Sequence, residues 1–585
     1  MKKLKLFFDT DNNYISLVNG FFNRLDCQWR KLIMAHWYDH AIIYQIYPKS
    51  FQDTNNDGIG DLNGIRQRIP YLQKLGINAI WLNPVFVSPQ VDNGYDVSNY
   101  FAIDPAMGTM EDMNSLIEDC HKAGIHVIMD FVLNHTSNQH PWFQDAISDP
   151  NSIYRDYYIF AGKDGKRPNN WGSFFGGSVW EEDPAGTGEF YFHLFDKKMP
   201  DLNWKNPEVR HSMLEIAEYW LEKGIDGLRL DAFIHIAKAD LRQNFPTEDG
   251  NGDPVVAEPF FANLPQVQTW LRPFCEQIKQ DYPETLLLGE AASANVNLAV
   301  DYTEKRNHLM DSVVTFRYFT EDNSQVDKHY SDVYQPKPLD MTAFKQNQTV
   351  WQQTLAGISY PTLYWSNHDM ARLRTRVAKN DVQARSLAML MYLQRGISII
   401  YYGEELGMQN LQFDNESQFS DQTVEAFIAS AKKAGLSKEE AIKMASLVHK
   451  MPARGPMPWN HDKNYGFSEA DSWIKGQKVD NCVVDDQIDD ERSSFNFYKR
   501  MIELKQEDLF QDGDYYLLST DKNSYVYQRD LGEKSAIVAS SLSDKETAVV
   551  IPKGYEVEKL SAGDYQLNDG KLTLMPYSGV VLMKK

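Results

Sequence analysis

The chain has 585 residues, 42% of them hydrophobic and 13% aromatic, which supplies a large packed interior and more residues than one core needs. A formal net charge of −22 argues against nucleic acid as a main partner and against binding to an anionic membrane surface. The four cysteines (Cys27, Cys120, Cys275, Cys482) are scattered without a C-x-x-C pair, so neither a zinc cluster nor a disulfide framework is expected.

Residues 1–35 fit no repeating unit and are read as an N-terminal extension. Its start, "MKKLKLFFDTDNN", is basic but has few apolar residues before acids intervene, so it is not read as a secretory signal. No apolar run is long enough to span a bilayer, and the expected location is the cytoplasm. The first candidate strand is "HAIIYQIYP". Behind it comes "DTNNDGIGD", where oxygen-bearing side chains recur at alternate positions. Asp53, Asn55 and Asp57 are followed by a turn glycine, the Ile59 carbonyl and Asp61, which is the first part of a calcium loop. The twelfth position is Gly64 where a bidentate Glu belongs, so a static calcium clip is expected rather than a sensor. The other reading is a capping loop in which Asp61 starts the next helix.

One unit then recurs, in "YLQKLGINAIWLNP", "DCHKAGIHVIMDFVLNH", "YWLEKGIDGLRLDAF" and "YLQRGISIIYYGEE". Each has an amphipathic segment, a glycine, and a short apolar run. Gly76, Gly124, Gly224 and Gly396 predict helix stops, and the apolar runs predict strands buried on both faces. "PETLLLGEA", "MDSVVTFRY" and "PTLYWSNHD" bring the strands to eight. The alternation over residues 36–136 and 205–508 predicts an α/β fold, a (β/α)8 TIM barrel. A doubly wound open sheet is disfavoured, because no Gly-rich phosphate turn follows the first strand. Residues 137–204, rich in Gly, Pro, Asn and aromatics, predict a domain inserted after the third strand. Residues 407–467 predict a helical insertion, including the stretch "TVEAFIASAKKAGLSKEEAIKMASLV". Residues 509–585 carry short β runs separated by Gly, Asp and Asn, which predicts a C-terminal all-β sandwich domain.

In such barrels chemistry sits at the C-terminal ends of the strands. The third strand ends with Asp130, Asn134 and His135, and the fifth with Glu290. The fourth ends with Arg229 and Asp231, two apart and so on one face. The seventh ends with His368 and Asp369, and the loop after the second carries Asp92, Tyr95 and Asp96. Each residue alone has an ordinary explanation: a helix cap, a satisfied core histidine, a structural ion pair. So many charges at one end of one barrel point instead to a site. Two carboxylates on neighbouring strands suit glycoside cleavage, with Asp231 as nucleophile beside Arg229 and Glu290 as proton donor. Asp369 would brace the sugar hydroxyls, His135 and His368 would bond them, and Tyr95 would face the ring. This chemistry needs no metal or cofactor.

The strand ends "MDFVLNHTS", "GLRLDAF", "LLLGEA" and "YWSNHD" resemble the four signatures of the α-amylase superfamily, glycoside hydrolase family 13. "MPDLNW" (199–204) and "AIIYQIYPKSFQDTNNDGIGDLNGI" (41–65) add to the resemblance, which runs from about residue 37 to the C-terminus. Within the superfamily it is strongest to the oligo-1,6-glucosidase and α-glucosidase group. It implies Asp231 as nucleophile, Glu290 as acid/base and Asp369 as transition-state stabiliser. Asp92, Tyr95, Asp130, His135, Arg229 and His368 would line the first glucose subsite. The "ARTPMQW" of exo-acting members is "ARGPMPW" here, so Arg454 matches, and with Asp92 it would close the pocket on the non-reducing end. The resemblance also implies a structural calcium ion held by Asp53, Asn55, Asp57, the Ile59 carbonyl and Asp61. Two departures bear on linkage. Ala232 stands where 1,6-selective members usually carry Val, and "HDMAR" replaces "HDQPR" while keeping Arg372 among the binding residues.

The expected function is that of an exo-acting retaining α-glucosidase on short oligosaccharides, α-1,4 and/or α-1,6. The protein would be a monomer or weak oligomer with no nucleic-acid or membrane partner. Alternatives are a glucosyl-transferring or isomerising relative such as a sucrose isomerase, or a trehalose-6-phosphate hydrolase. The last would need a Lys/Arg cluster near the pocket, and the sequence reveals none. A non-catalytic carbohydrate-binding scaffold is disfavoured because Asp231, Glu290 and Asp369 are all present.

Overall fold

The computed structural model describes residues 36–163, 165–247, 254–519 and 521–585. The extension read over residues 1–35, with Cys27, lies outside the described residues. Eight parallel strands form the central sheet: β1 (Ile42–Ile46), β2 (Ala79–Leu82), β3 (His126–Val132), β4 (Gly227–Asp231), β5 (Leu286–Glu290), β6 (Ser312–Val314), β7 (Thr362–Leu363) and β8 (Ile397–Tyr401). Their hydrogen-bonded order is β6-β5-β4-β3-β2-β1-β8-β7. That is the cyclic order of a TIM barrel, opened at one seam. β6 and β7 meet there through hydroxyls: Ser312 Oγ donates to the Tyr360 carbonyl (2.6 Å), Thr362 Oγ1 to Val313 (2.9 Å) and Tyr364 OH to Thr315 (2.6 Å). Side chains thus satisfy carbonyls that a ladder would use. The runs "MDSVVTFRY" and "PTLYWSNHD" accordingly yield strands of only three and two residues.

The helices follow from local rules. Met110–Lys122 starts at a capping box between Thr109 and Asp112 and buries Met113, Leu116, Ile117 and Cys120, one helical stripe. Gly76 ends its helix in the left-handed conformation, φ +93°. Gly396 differs from the expected helix stop. The preceding helix, Asp381–Tyr392, has already ended, and a Cβ on Gly396 would stand 2.2 Å from the Pro361 carbonyl oxygen. Close approach of the β8 entrance to β7 requires that glycine.

Between β3 and β4 the chain forms the helix Pro141–Ser148 and a small antiparallel sheet of Phe160–Ala161, Phe190–Phe192 and Trp180–Glu182. Trp171, Trp180, Phe192 and Phe261 share its core. Asp201, within "MPDLNW", ties this insertion to the barrel: it accepts from Leu194 N (2.9 Å) and Asn134 Nδ2 (2.9 Å), and pairs with Lys238 (2.6 Å). The helical stretch after β8 is two helices, Gln422–Lys433 and Lys438–Val448. Gly435 takes φ +102°, and Ser437 with Glu440 caps the second helix, so the "GLSKEE" run is a break rather than a continuation. The C-terminal region is all β, a five-stranded and a three-stranded antiparallel sheet that enclose Val526, Ile537, Leu572 and Leu574. Among the described residues no helix is long and apolar enough to cross a membrane.

Candidate active site

The loop after β2 is organised by Asp96. Its carboxylate accepts from Val91 N (2.9 Å), Asp92 N (3.0 Å) and Ser88 Oγ (2.8 Å), which fixes the segment presenting Asp92 and Tyr95. Asp130, fully buried on β3, accepts from Tyr95 OH (2.9 Å), Trp81 Nε1 (3.2 Å), Asn83 Nδ2 (3.2 Å) and Arg229 Nη1 (2.8 Å). His368 has a settled tautomer. Gln45 Nε2 donates to its Nδ1 (2.8 Å), so Nε2 carries the proton and faces Tyr95 OH (2.5 Å) and Asp369 Oδ2 (3.1 Å). Burial pushes the His368 ring well below its ordinary pKa, so it is neutral.

Arg229 is the hub. Its guanidinium is 2% exposed, pairs with Asp130 and Asp231, and reaches Glu290 Oε2 at 3.0 Å. Glu290 Oε2 also accepts from the backbone N–H of Ala232 (3.1 Å), which the turn after Asp231 aims at it in a left-handed conformation, φ +49°. Three carboxylates around one cation cannot all ionise freely. Burial pushes Asp130 up to about 6 against the opposing pull of Arg229. Asp231 is likewise raised by burial, with Arg229 opposing and Glu290 and Asp130 adding to the rise. The cluster therefore retains a proton that isolated carboxylates would have lost. Asp369 lies on the other side of that divide. Burial raises it, but His368, Lys450 and Arg454 outweigh burial and hold it well below the usual carboxylate range.

Asp92, Tyr95, His135, Asp231, Glu290 and Asp369 line one cavity of about 290 Å³. Asp130, Arg229, His368 and Arg454 stand immediately behind its wall. Arg454 donates from Nε to the His368 carbonyl (2.9 Å) and approaches Asp369 Oδ1 at 3.4 Å. Arg372 is one layer further back. Its Nε donates to the Ala453 carbonyl (2.8 Å) and Nη1 to that of Tyr402 (2.6 Å), while the guanidinium lies over the Tyr401 and Tyr402 rings. It holds the backbone that presents Arg454 and does not line the cavity. The structure adds wall residues the sequence reading missed. Phe174, Phe175 and Phe195 come from the insertion, His235 from the turn after β4, and Lys450 from the segment after β8. Lys450 Nζ lies 3.9 Å from Asp92 and 3.7 Å from Asp369. These residues lie outside the barrel repeat, in an insertion, a turn and a distant segment, where no period in the sequence marks them.

The loop 53–61 is self-bonded. Asp53 accepts from the N–H groups of Asn55 (3.0 Å), Asn56 (2.8 Å) and Gly58 (2.8 Å), and Asp57 from that of Ile59 (2.8 Å). Asp61 caps the helix Leu62–Gln67 through Gly64 N (2.8 Å) and also accepts from Thr54 N (2.7 Å). Among the described residues no group of three or more His, Cys, Asp or Glu converges as a metal centre. The five expected ligands nonetheless form an all-oxygen donor set on one turn, the chemistry calcium selects.

The family model for the alpha amylase catalytic domain matches residues 45–513. Over 563 residues the chain is 34% identical to the oligo-1,6-glucosidase of Bacillus cereus, covering 94% of this chain and 99% of that protein. It is 35% identical over 546 residues to the oligo-1,6-glucosidase of Parageobacillus thermoglucosidasius, covering 92% and 96%. A solved structure described as a family GH13_31 enzyme superposes with a TM-score of 0.88 at 72% identity, covering 94% of this chain and all of the other. A match of that reach, laid over a barrel whose strand ends converge on paired carboxylates, makes this chain a member of the α-amylase family of glycoside hydrolases.

Proposed function

We propose that the protein is an exo-acting, retaining α-glucosidase, a monomer or weak oligomer, that releases terminal α-linked glucose from short oligosaccharides. One observation carries the reading: Asp231 and Glu290 share the single guanidinium of Arg229 on the wall of one sugar-sized cavity. One fork spanning both carboxyl groups favours the separation of about 5–5.5 Å used in double displacement over the wider gap of inverting enzymes. Glu290 donates its proton to the glycosidic oxygen while Asp231 attacks the anomeric carbon. The carbon–oxygen bond breaks, the leaving sugar departs as an alcohol, and glucose stays esterified to Asp231. Water then enters, Glu290 takes its proton, and the oxygen attacks the same carbon and frees Asp231. Two inversions give retention. Asp369, held ionised, accepts hydroxyl hydrogen bonds and offsets the positive charge of the transition state. Asp92, His135 and Lys450 complete the glucose site, with Arg454 and His368 bracing it.

The phosphate-directed alternative finds less support. Lys450 is the one Lys or Arg among the described residues lining the cavity that holds Asp231 and Glu290, and two carboxylates flank it. The proposal is tested with p-nitrophenyl α-glucoside, maltose and isomaltose; failure to release glucose from all three removes it. Asp231→Asn should lower kcat by several orders of magnitude with the fold intact, and near-normal turnover would reassign the nucleophile. The proposal includes a structural calcium ion held by Asp53, Asn55, Asp57, Asp61 and the Ile59 carbonyl. A chelator should then lower the melting temperature and added calcium restore it; no change under either treatment removes the ion from the reading.

A further inference from the structure

Asp92 is aimed at the cavity by its backbone, because its carboxylate reaches Lys450 only at 3.9 Å, too far to fix it. The backbone around it is strained. Gln90 and Asn93 both take left-handed conformations, φ +66° and +52°, one on each side of Asp92. Asparagine tolerates that region, but glutamine occupies it against the steric preference of its Cβ. Such a conformation persists where surrounding contacts over-determine it.

Those contacts converge on Lys49, which stands in the turn Pro48–Ser50 after β1 and is 9% exposed. Its Nζ donates to Gln90 Oε1 (3.2 Å) and Asn93 Oδ1 (3.3 Å) and lies 4.2 Å from the centre of the Trp473 ring. An ammonium has three hydrogens, and here two amide oxygens and a π face meet them. The partners are themselves anchored. Gln90 Nε2 donates to Asp104 Oδ2 (2.9 Å), so Oε1 is the atom it turns to Lys49. Trp473 donates from Nε1 to Ser50 Oγ (3.0 Å) and stacks on Tyr47. Burial pushes the Lys49 pKa down to about 8, with Arg454 adding to the fall and Asp104 and Asp96 opposing it, so the group is largely charged at pH 7. An apolar side chain of the same length would serve packing alone; a buried charge is costly unless its hydrogens are used.

We propose that Lys49 is a positioning residue for the glucose site: by gripping the side-chain amides of Gln90 and Asn93 it holds the loop in the conformation that points Asp92 at the terminal sugar. Asp96 secures the N–H groups of Val91 and Asp92, and Lys49 secures the side chains on either side of them. This rests on the α-glucosidase reading and adds to it a residue that does not line the cavity and acts through Asp92.

The test is a double-mutant cycle in the full chain: Lys49→Met, Asp92→Asn and the two together, with Lys49→Arg beside them. The kinetic constants kcat and KM are measured on whichever of p-nitrophenyl α-glucoside and maltose is cleaved faster. Where Asp92→Asn turns over too slowly, the cycle is read in the calorimetric Kd for the glucose-like iminosugar 1-deoxynojirimycin. Met keeps the length of Lys49 and loses its donors, whereas Arg keeps charge and donors. Loss of a well-aimed hydrogen bond from a charged group predicts that Lys49→Met raises KM about tenfold with kcat within about threefold, and that Lys49→Arg recovers most of the loss. In the Asp92→Asn background Lys49→Met should change kcat/KM or Kd by less than about twofold, because the group it aims is already blunted. If Lys49→Met does not fold, Gln90→Gly takes its place: glycine accepts φ +66° freely and offers Lys49 no side-chain oxygen. An unchanged KM, or an equal loss in both backgrounds, overturns the inference while leaving the glucosidase reading standing. No release of glucose from p-nitrophenyl α-glucoside, maltose or isomaltose by the unmodified protein removes both.

Discussion

Replacing Arg229 by Met withdraws the one cation that three carboxylates share. Met keeps much of the side-chain volume, so packing changes little and electrostatics decide. Arg229 is 2% exposed and contacts Asp130 at 2.8 Å, Glu290 at 3.0 Å, and Asp231. Breaking a buried pair from one side costs roughly 3–5 kcal/mol when the remaining charge has no outlet. Here protonation is an outlet. Asp130 is already pushed up to about 6, so neutralising it at pH 7 costs on the order of 1 kcal/mol, and less once the guanidinium is gone. The expected loss at pH 7 is therefore at the lower end, about 3 kcal/mol. Its pH dependence has a definite sign. Without Arg229 the folded-state pKa values of Asp130 and Asp231 rise further above their ordinary value of 3.8. The folded protein then binds more protons than the unfolded chain, and stability falls as pH rises from about 4 through the raised values. Thermal melts at pH 5 and pH 7 should show the smaller deficit at pH 5. Turnover at pH 7 should fall, because withdrawing the opposing charge raises Asp231 further and leaves less of it ionised to attack. Equal melting deficits at the two pH values, or unimpaired turnover, would refute the argument that Arg229 governs the proton of this cluster.

Three further substitutions probe other parts of the site. Ala232→Val places a β-branched residue at φ +49°, which costs about 1–2 kcal/mol and disturbs the N–H that meets Glu290. Melting temperature and kcat on both linkages should fall together with any change in the 1,4-to-1,6 ratio; a changed ratio with unaltered kcat contradicts the strain. Arg372→Met should lower the melting temperature and raise KM by loosening the backbone that carries Arg454. A raised KM with unchanged melting would instead mean that Arg372 touches the sugar. Asp61→Ala strips the cap from the helix Leu62–Gln67, about 1 kcal/mol, and should abolish any calcium-dependent rise in melting temperature. An undiminished calcium response in that variant would place the ion elsewhere.

The sequence by itself determined the barrel and most of the residues meeting at its mouth. Strand alternation is a strictly local period, so Arg229 and Asp231, two apart, share a direction before any tertiary contact forms. The βα repeat then brings Asp231, Glu290 and Asp369 to one end, because successive parallel strands all finish on the same side. Only the tertiary structure decided what lay outside that period. The alternate oxygens of 53–61 read equally as ion ligands and as acceptors for their own loop amides, and only the fold shows that Asp53 and Asp61 accept from those amides. Arg372 has the same motif position whether it meets sugar or backbone, and packing against Tyr401 and Tyr402 set it behind the wall. Phe174, His235 and Lys450 reach the cavity from an insertion, a turn and a distant segment. Such positions follow from which surfaces bury one another, a long-range balance of contact and desolvation that no spacing along the chain encodes.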